Sequence, residues 1–271
     1  MSKRTKKIFA GSESELAAMT KELDELHNDV AAPTLWAGVS NMIDGMRGAT
    51  ARPTSRRTFL MGTGAAVAGG AALLAVGSTP GLAAAATRAE SHLHLADAAF
   101  PPAGLTGDLA VAAVAASLEN LAVFAYKAGL AAATAGKLGS VPPAIGTFAT
   151  TALSHHTQHA AAWNAVLKAN GKAAVTVTNP TLTPTIQANF AKVTDISGLA
   201  QLALSLESAA AATYQAETSM LKSKAAIGLS ASIEPVEMQH IAILYYVMGL
   251  YPGAQTTAGT PIAFSSTAAA A

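Results

Sequence analysis

No cysteine occurs anywhere in the 271 residues. That absence excludes disulfides, thiolate metal sites, iron–sulfur clusters and cysteine nucleophiles. It fits export from the cell without demonstrating it. Charge is scarce too: Asp, Glu, Lys and Arg make up 12% of the chain and almost cancel, leaving a formal net charge of +1. No basic surface is implied, so nucleic acid is not an expected partner. Aromatic residues contribute only 5%. What is plentiful is small and apolar, since half the chain is hydrophobic and much of that is alanine. Alanine is the best helix former, and its small side chain lets helices approach closely. The expected fold class is all-α, in a chain long enough for one domain or two.

Against that background a few polar residues stand out, and they repeat. Ser117-Leu118-Glu119, with Ala122, Tyr126 and Ala128 behind it, matches Ser205-Leu206-Glu207 with Ala210, Tyr214 and Ala216, at an offset of 88 residues. His156-Thr157-Gln158-His159 answers Glu237-Met238-Gln239-His240 at an offset of 81. Each half reads as a helix with a central Glu followed by a helix with paired ligand-type side chains. Residues three apart on a helix lie on one face, about 60° short of a full circle. Carboxylate plus imidazole on such a face is half of a carboxylate-bridged di-metal site in a four-helix bundle. Glu-x-x-His alone is weak, because many solvated helices carry it by chance; the other half on facing helices gives it weight.

Taken in order, residues 1–54 form an N-terminal extension. Leu16, Met19, Leu23, Leu26 and Val30 recur at three- and four-residue steps among acidic and basic positions, predicting an amphipathic helix that Pro33 ends. Residues 12–30 either lie on the rest of the protein or dock a protein partner. Residues 55–86 begin Ser55-Arg56-Arg57-Thr58-Phe59-Leu60-Met61, continue as a Gly/Ala-rich apolar run and reach Ala84-Ala85-Ala86. This stretch resembles a twin-arginine export signal with an A-x-A type cleavage site. The alternative is a membrane anchor through residues 59–82; either way the remainder is expected outside the cytoplasm, in the cell envelope. Signals of this kind usually open a chain, so translation from Met42 or Met46 rather than Met1 stays open.

Residues 87–103 are a linker carrying His92 and His94, expected to be solvent-exposed. Residues 104–250 should form four helices. The first runs from about 107 to 134 and the second from Pro142-Pro143 to Asn170-Gly171. A Thr/Pro-rich crossover follows, with a short helix at 186–192. The third helix is capped by Asp195 or Ser197 and runs to about 224. The fourth starts near Ser232 with Pro235 in its first turn. Two hairpins joined by a long crossover make a four-helix bundle with its middle helices parallel. Trp163 is expected in the core, and Glu217 and Glu234 in solvent. Tyr126 and Tyr214 are either donors to the site or core aromatics, the structural role being favoured. His155 and Gln158 are candidates to orient ligands, and His155 is also a substitute for His156. Residues 251–271 are a low-complexity tail.

This set of residues resembles the ferritin-like superfamily, and more narrowly the exported ferritin-like domain proteins of actinobacteria. The resemblance covers residues 104–250. It implies that Glu119 and Glu207 are carboxylate ligands, that Glu237 bridges or chelates, and that His159 and His240 each give one imidazole to a pair of irons. Position 156 departs from the pattern, having His where the family has Glu. Three carboxylates and three imidazoles suit a mononuclear or weaker dinuclear site as well as a di-iron one, and bring manganese and zinc into range. The functions implied are iron, oxygen or peroxide chemistry at a metal site. The alternatives are a non-enzymatic envelope scaffold, or an accessory subunit of a membrane complex, with a metal-free or structural site. Homo-oligomerisation is left open.

Overall fold

The computed structural model describes residues 12–48, 101–102 and 104–250. The expected export signal at 55–86 or anchor at 59–82, His92, His94 and the tail from 251 lie outside the described residues. Every regular element among the described residues is helical. Helices α1 (Glu13–Leu26) and α2 (Ala32–Gly48) form an N-terminal arm. The core consists of α3 (Asp108–Thr134), α4 (Pro143–Ala169), α6 (Ile196–Met220) and α7 (Lys224–Val247), with the short α5 (Thr183–Phe190) in the crossover.

The arm is one helix rather than a helix stopped by proline. Ser12 caps it, its hydroxyl accepting from the Glu15 N–H, and Glu13 and Glu15 in the first turn suit the helix dipole. Between α1 and α2 a single π-helical turn, His27–Ala31, inserts an extra residue, with the Ala32 N–H bonding back to the His27 carbonyl. Pro33 follows this turn and does not end the helix. The insertion moves the inward stripe. Leu16, Thr20, Leu23 and His27 are buried before it, and Leu35, Val39 and Met42 after it. Leu26 and Val30, expected in the apolar stripe, are exposed instead. The arm lies on the core, α1 mainly against α4 and α2 against α7 and α4. Gly38 allows the closest approach, since a Cβ there would sit 3.3 Å from the Leu229 backbone.

Within the core, α3 packs along α4 and α6 along α7, with further contacts linking α3 to α6 and α4 to α7. Alanines 110, 112, 113, 115 and 116 are buried almost completely, so α3 fits where larger side chains would hold neighbours apart. Among the described residues α3 alone is long and apolar enough to cross a membrane, but most of it is buried inside the protein. The Asp108 carboxylate accepts from the Lys222 and Ser223 backbone N–H groups at 3.0 Å each, tying the start of α3 to the α6–α7 connection. The crossover is held by Asn120 and Asn164, whose amides both donate to the Val175 carbonyl. Asp195, not Ser197, caps α6.

Two boundaries differ from expectation. Helix α6 ends at Met220 rather than 224, and α7 starts at Lys224 rather than 232, because Ser223 caps it by accepting from the Ala226 N–H at 3.0 Å. Pro235 therefore sits inside α7. An interior proline costs about 3 kcal/mol. Here the ring is exposed while Val236, Glu237 and His240 just beyond it are buried, so packing of the following turn offsets the lost hydrogen bond.

Candidate metal centre

The six residues singled out in the sequence meet at one place. Glu119 comes from the middle of α3, Glu207 from α6, His156 and His159 from α4, and Glu237 and His240 from α7. None is more than 3% exposed. They form two overlapping sets of four, Glu119–His156–His159–Glu237 and His156–Glu207–Glu237–His240, within each of which the ligand-type atoms lie within 4.8 Å of one another. Glu237 and His156 belong to both sets. The 88- and 81-residue repeats thus become a pseudo-twofold arrangement. Glu119 with His159 faces Glu207 with His240, and Glu237 and His156 share the middle.

His156 lies between two carboxylates. Its Nδ1 is 2.8 Å from Glu119 Oε2 and its Nε2 is 3.1 Å from Glu207 Oε1. His240 Nδ1 is 3.2 Å from Glu207 Oε2 and 3.4 Å from Glu237 Oε2. His159 Nδ1 is 3.1 Å from Glu237 Oε1 and 3.6 Å from Glu119 Oε1. The last group does not close as ordinary hydrogen bonds. Both Glu237 oxygens and His159 Nδ1 are buried without an aligned partner, despite their proximity. Buried polar atoms rarely stay unpaired. A carboxylate–imidazole set with such unpaired buried atoms is compatible with a divalent transition metal.

The charges on these groups hold one another. Burial opposes ionisation of Glu119, yet the imidazoles of His159 and His156 outweigh it and hold the carboxyl down to about 2. Burial likewise opposes charge on Glu207, and His156 and His240 hold it well below the usual carboxylate range. For the imidazoles burial works against the charged form, but Glu237 and Glu207 raise His156 well above its ordinary value. Glu119 and Glu237 lift His159 to about 9, and Glu207 with Glu237 raises His240. The imidazoles of His156, His159 and His240 thus offset the charge of Glu119 and Glu207.

The tyrosines are donors to the site, and the favoured structural role is corrected to that extent. Tyr126 donates to Glu207 and Tyr214 donates to Glu119, each across the α3–α6 interface. Trp163, fully buried as expected, donates its Nε1–H to the Tyr214 oxygen at 3.0 Å. Burial, then the adjacent carboxylates, push both tyrosines well above their ordinary values, so they remain proton donors.

Glu217 is not where the sequence suggested, and His155 takes only one of the two places offered for it, against a ligand-type histidine rather than instead of one. Glu217, expected in solvent, is buried with neither oxygen hydrogen-bonded; burial first, then Glu119, push its carboxyl well up. His155 does not replace His156. It lies behind His240, with Nδ1 3.1 Å from His240 Nε2 and Nε2 3.3 Å from Asp24 Oδ1. His27 of the arm stacks on His155 at a ring separation of 3.8 Å. No signal in the sequence joined Asp24 or His27 to residues more than 120 positions away. Gln158 is partly buried, and Glu234 partly exposed.

Beside the cluster lies an apolar cavity of about 60 Å³. Tyr126, which reaches Glu207, and Phe148, whose ring meets His240 edge-on at 6.2 Å, both line it, together with Leu206 and Leu244.

Comparison with known families gives a match to the model of the ferritin-like domain over residues 107–250, more than half of the chain. The chain belongs to the ferritin-like domain family. No curated protein and no solved structure matches it. The family match spans the four core helices and all six clustered residues, and leaves the arm outside. A buried Glu/His cluster in a ferritin-like domain is compatible with a metal site.

Proposed function

We propose that this ferritin-like protein holds two divalent metal ions, with iron favoured over manganese and zinc. Glu119 and His159 would hold one, Glu207 and His240 the other, and Glu237 would bridge them. The observation that carries this is Glu237: a buried carboxylate in the middle of the cluster, with ligand atoms on both sides and no aligned hydrogen bond at either oxygen. Iron bound there supplies one-electron chemistry towards dioxygen or peroxide. The protein contributes the buried setting, two tyrosine hydroxyls that fix the outer carboxylates, and an adjoining apolar cavity whose size and lining suit a small apolar molecule such as dioxygen. Export by the twin-arginine route, carried by Ser55 to Met61, and residence in the cell envelope are proposed independently of the metal site.

A second reading is favoured by one observation. His156 lies between Glu119 and Glu207, at 2.8 and 3.1 Å, and these carboxylates are met by a protein group without any ion. Such a network can serve as the polar core of a scaffold. Elemental analysis of the natively purified full-length protein separates the two, run beside the Glu119→Ala/Glu237→Ala double variant. Near-stoichiometric iron or manganese that disappears in the variant supports the metal reading. No transition metal, before or after reconstitution, leaves the scaffold.

A further inference from the structure

We propose that the N-terminal arm, which lies outside the ferritin-like domain, is a working part of the metal centre. Asp24 acts through His155 to set the tautomer and orientation of His240. This inference rests on the metal-site reading above.

The chain of contacts is continuous. Asp24 Oδ1 lies 3.3 Å from His155 Nε2, His155 Nδ1 lies 3.1 Å from His240 Nε2, and His240 Nδ1 faces Glu207 and Glu237 at 3.2 and 3.4 Å. The first link fixes the direction of the others. A carboxylate only accepts, so His155 carries its proton on Nε2 and leaves Nδ1 bare. A bare Nδ1 accepts, so His240 donates from Nε2. The remaining nitrogen of His240, Nδ1, is then the atom that meets the metal. Metal-binding histidines almost always donate their other ring N–H to an outer partner, and losing that partner typically costs about 10- to 100-fold in metal affinity. In this chain the outer partner is a second histidine, itself held by an aspartate from another part of the sequence.

The arm is built to hold that contact. Leu16, Leu23, Leu35, Val39 and Met42 are buried on either side of the π turn. His27, at the start of that turn, stacks on His155 with 23° between ring planes. His155 is fully buried, whereas the Asp24 side chain is half exposed, so the relay begins at the protein surface. Among the described residues His159 has no hydrogen bond to an arm side chain, only the tilted His27 ring 5.5 Å away, which makes the two metal positions unequal.

Titration of the full-length protein with Co²⁺, monitored by its visible absorption, tests this in the wild type and in Asp24→Ala. Two ions are expected in the wild type. In Asp24→Ala one of them should weaken by about 10- to 100-fold while the other is unchanged. ¹⁵N spectra of the histidines in the metal-free protein give a readout that a structural role would not move. His155 should carry its proton on Nε2 in the wild type and lose that preference in Asp24→Ala. If the wild type binds two ions and Asp24→Ala binds both as tightly, the role of the arm is overturned and the metal site stands. Equal weakening of both ions together with a lower melting temperature overturns it as well, in favour of a merely structural arm. A wild type that binds no Co²⁺ overturns the metal reading, and this inference with it.

Discussion

Tyr126 on α3 donates its hydroxyl proton to Glu207 on α6, and the repeat-related Tyr214 on α6 returns the same bond to Glu119 on α3. The two bonds cross the interface between the halves of the domain. A hydrogen bond to a charged group contributes about 1.5–3 kcal/mol. Tyr126→Phe should therefore lower the stability of the metal-free protein by about that amount. Tyr214→Phe should cost more, because Trp163 Nε1–H loses its acceptor as well. Denaturant unfolding of the two variants measures the difference, and equal losses would count against the Trp163 link.

The pH dependence of the metal-free protein follows from the same cluster. The His159 pKa is raised from 6.5 to about 9 by Glu119 and Glu237 acting against burial. Its contribution is thus complete below pH 6.5 and lost as pH rises through 9. The Glu119 pKa is depressed from 4.5 to about 2, so its contribution is present above pH 4.5 and lost as pH falls through 2. The difference in melting temperature between the wild type and His159→Gln should be constant between about pH 4.5 and 6.5 and shrink towards 9, while His27 and His155 add a rise with pH below 6.5 and Glu217 a fall above 4.5. His159→Gln should flatten the alkaline limb. Metal competes with the imidazole protons, so metal affinity should move the other way and rise with pH.

The six clustered residues were legible because two repeats superimpose them and helical spacing puts each pair on one face. The rest of the surroundings was not, for identifiable reasons. The π turn at His27–Ala31 shifts the arm's inward stripe by one residue, so Val30, expected in the apolar stripe, is exposed, and no spacing marked His27 as buried. Asp24 and His155 meet across 131 positions, a contact that no local pattern encodes. Pro235 reads as a helix start because its interior position depends on which face is exposed, and that is settled by packing. Glu217 reads as solvated because charged residues usually are.

Glu217 is the exception with a measurable consequence. Its carboxyl is buried with both oxygens unpartnered, and burial together with Glu119 pushes its pKa well above 4.5. The unfolded chain ionises freely above pH 4.5, so this group destabilises the fold increasingly as pH rises towards its folded value. An unsatisfied buried polar group costs about 1–3 kcal/mol. Glu217→Met, similar in volume and without a charge, should raise stability at pH 8 by about that much and leave metal content unchanged. Loss of metal in this variant would instead place Glu217 among the groups that hold the ion.

The docked arm makes a prediction about processing. Arm and core are packed together, so both must lie on one side of any membrane. A single crossing at residues 59–82 would separate them, and cleavage near Ala84–Ala86 would detach Asp24 and His27 from the chain that carries His155. A docked arm and export by way of residues 55–86 are therefore alternatives, and whether the protein recovered from the envelope retains residues 12–48 distinguishes them. Intact-mass measurement of that fraction decides the matter. A mature form starting near residue 87 would mean that His155 works without Asp24, and its metal affinity should then match that of Asp24→Ala.

His156 is where this chain departs from the pattern its family resemblance implies, and restoring glutamate there separates the two roles of the site. With His156 the metal-free cluster sets three carboxyl groups against three imidazoles. With His156→Glu it sets four against two, an excess of acid groups in a buried volume. Buried like charges repel strongly and bare carboxylates take up protons instead. The metal-free variant should consequently be less stable than the wild type, by an amount that shrinks at acid pH. Two divalent ions bring the compensating charge, so the metal-loaded variant should recover that loss and hold metal at least tenfold more tightly, about 1.4 kcal/mol. Melting curves with and without Fe²⁺ under anaerobic conditions read both effects. If the variant is destabilised equally with and without metal, position 156 serves the polar core rather than the ions, and the scaffold reading gains.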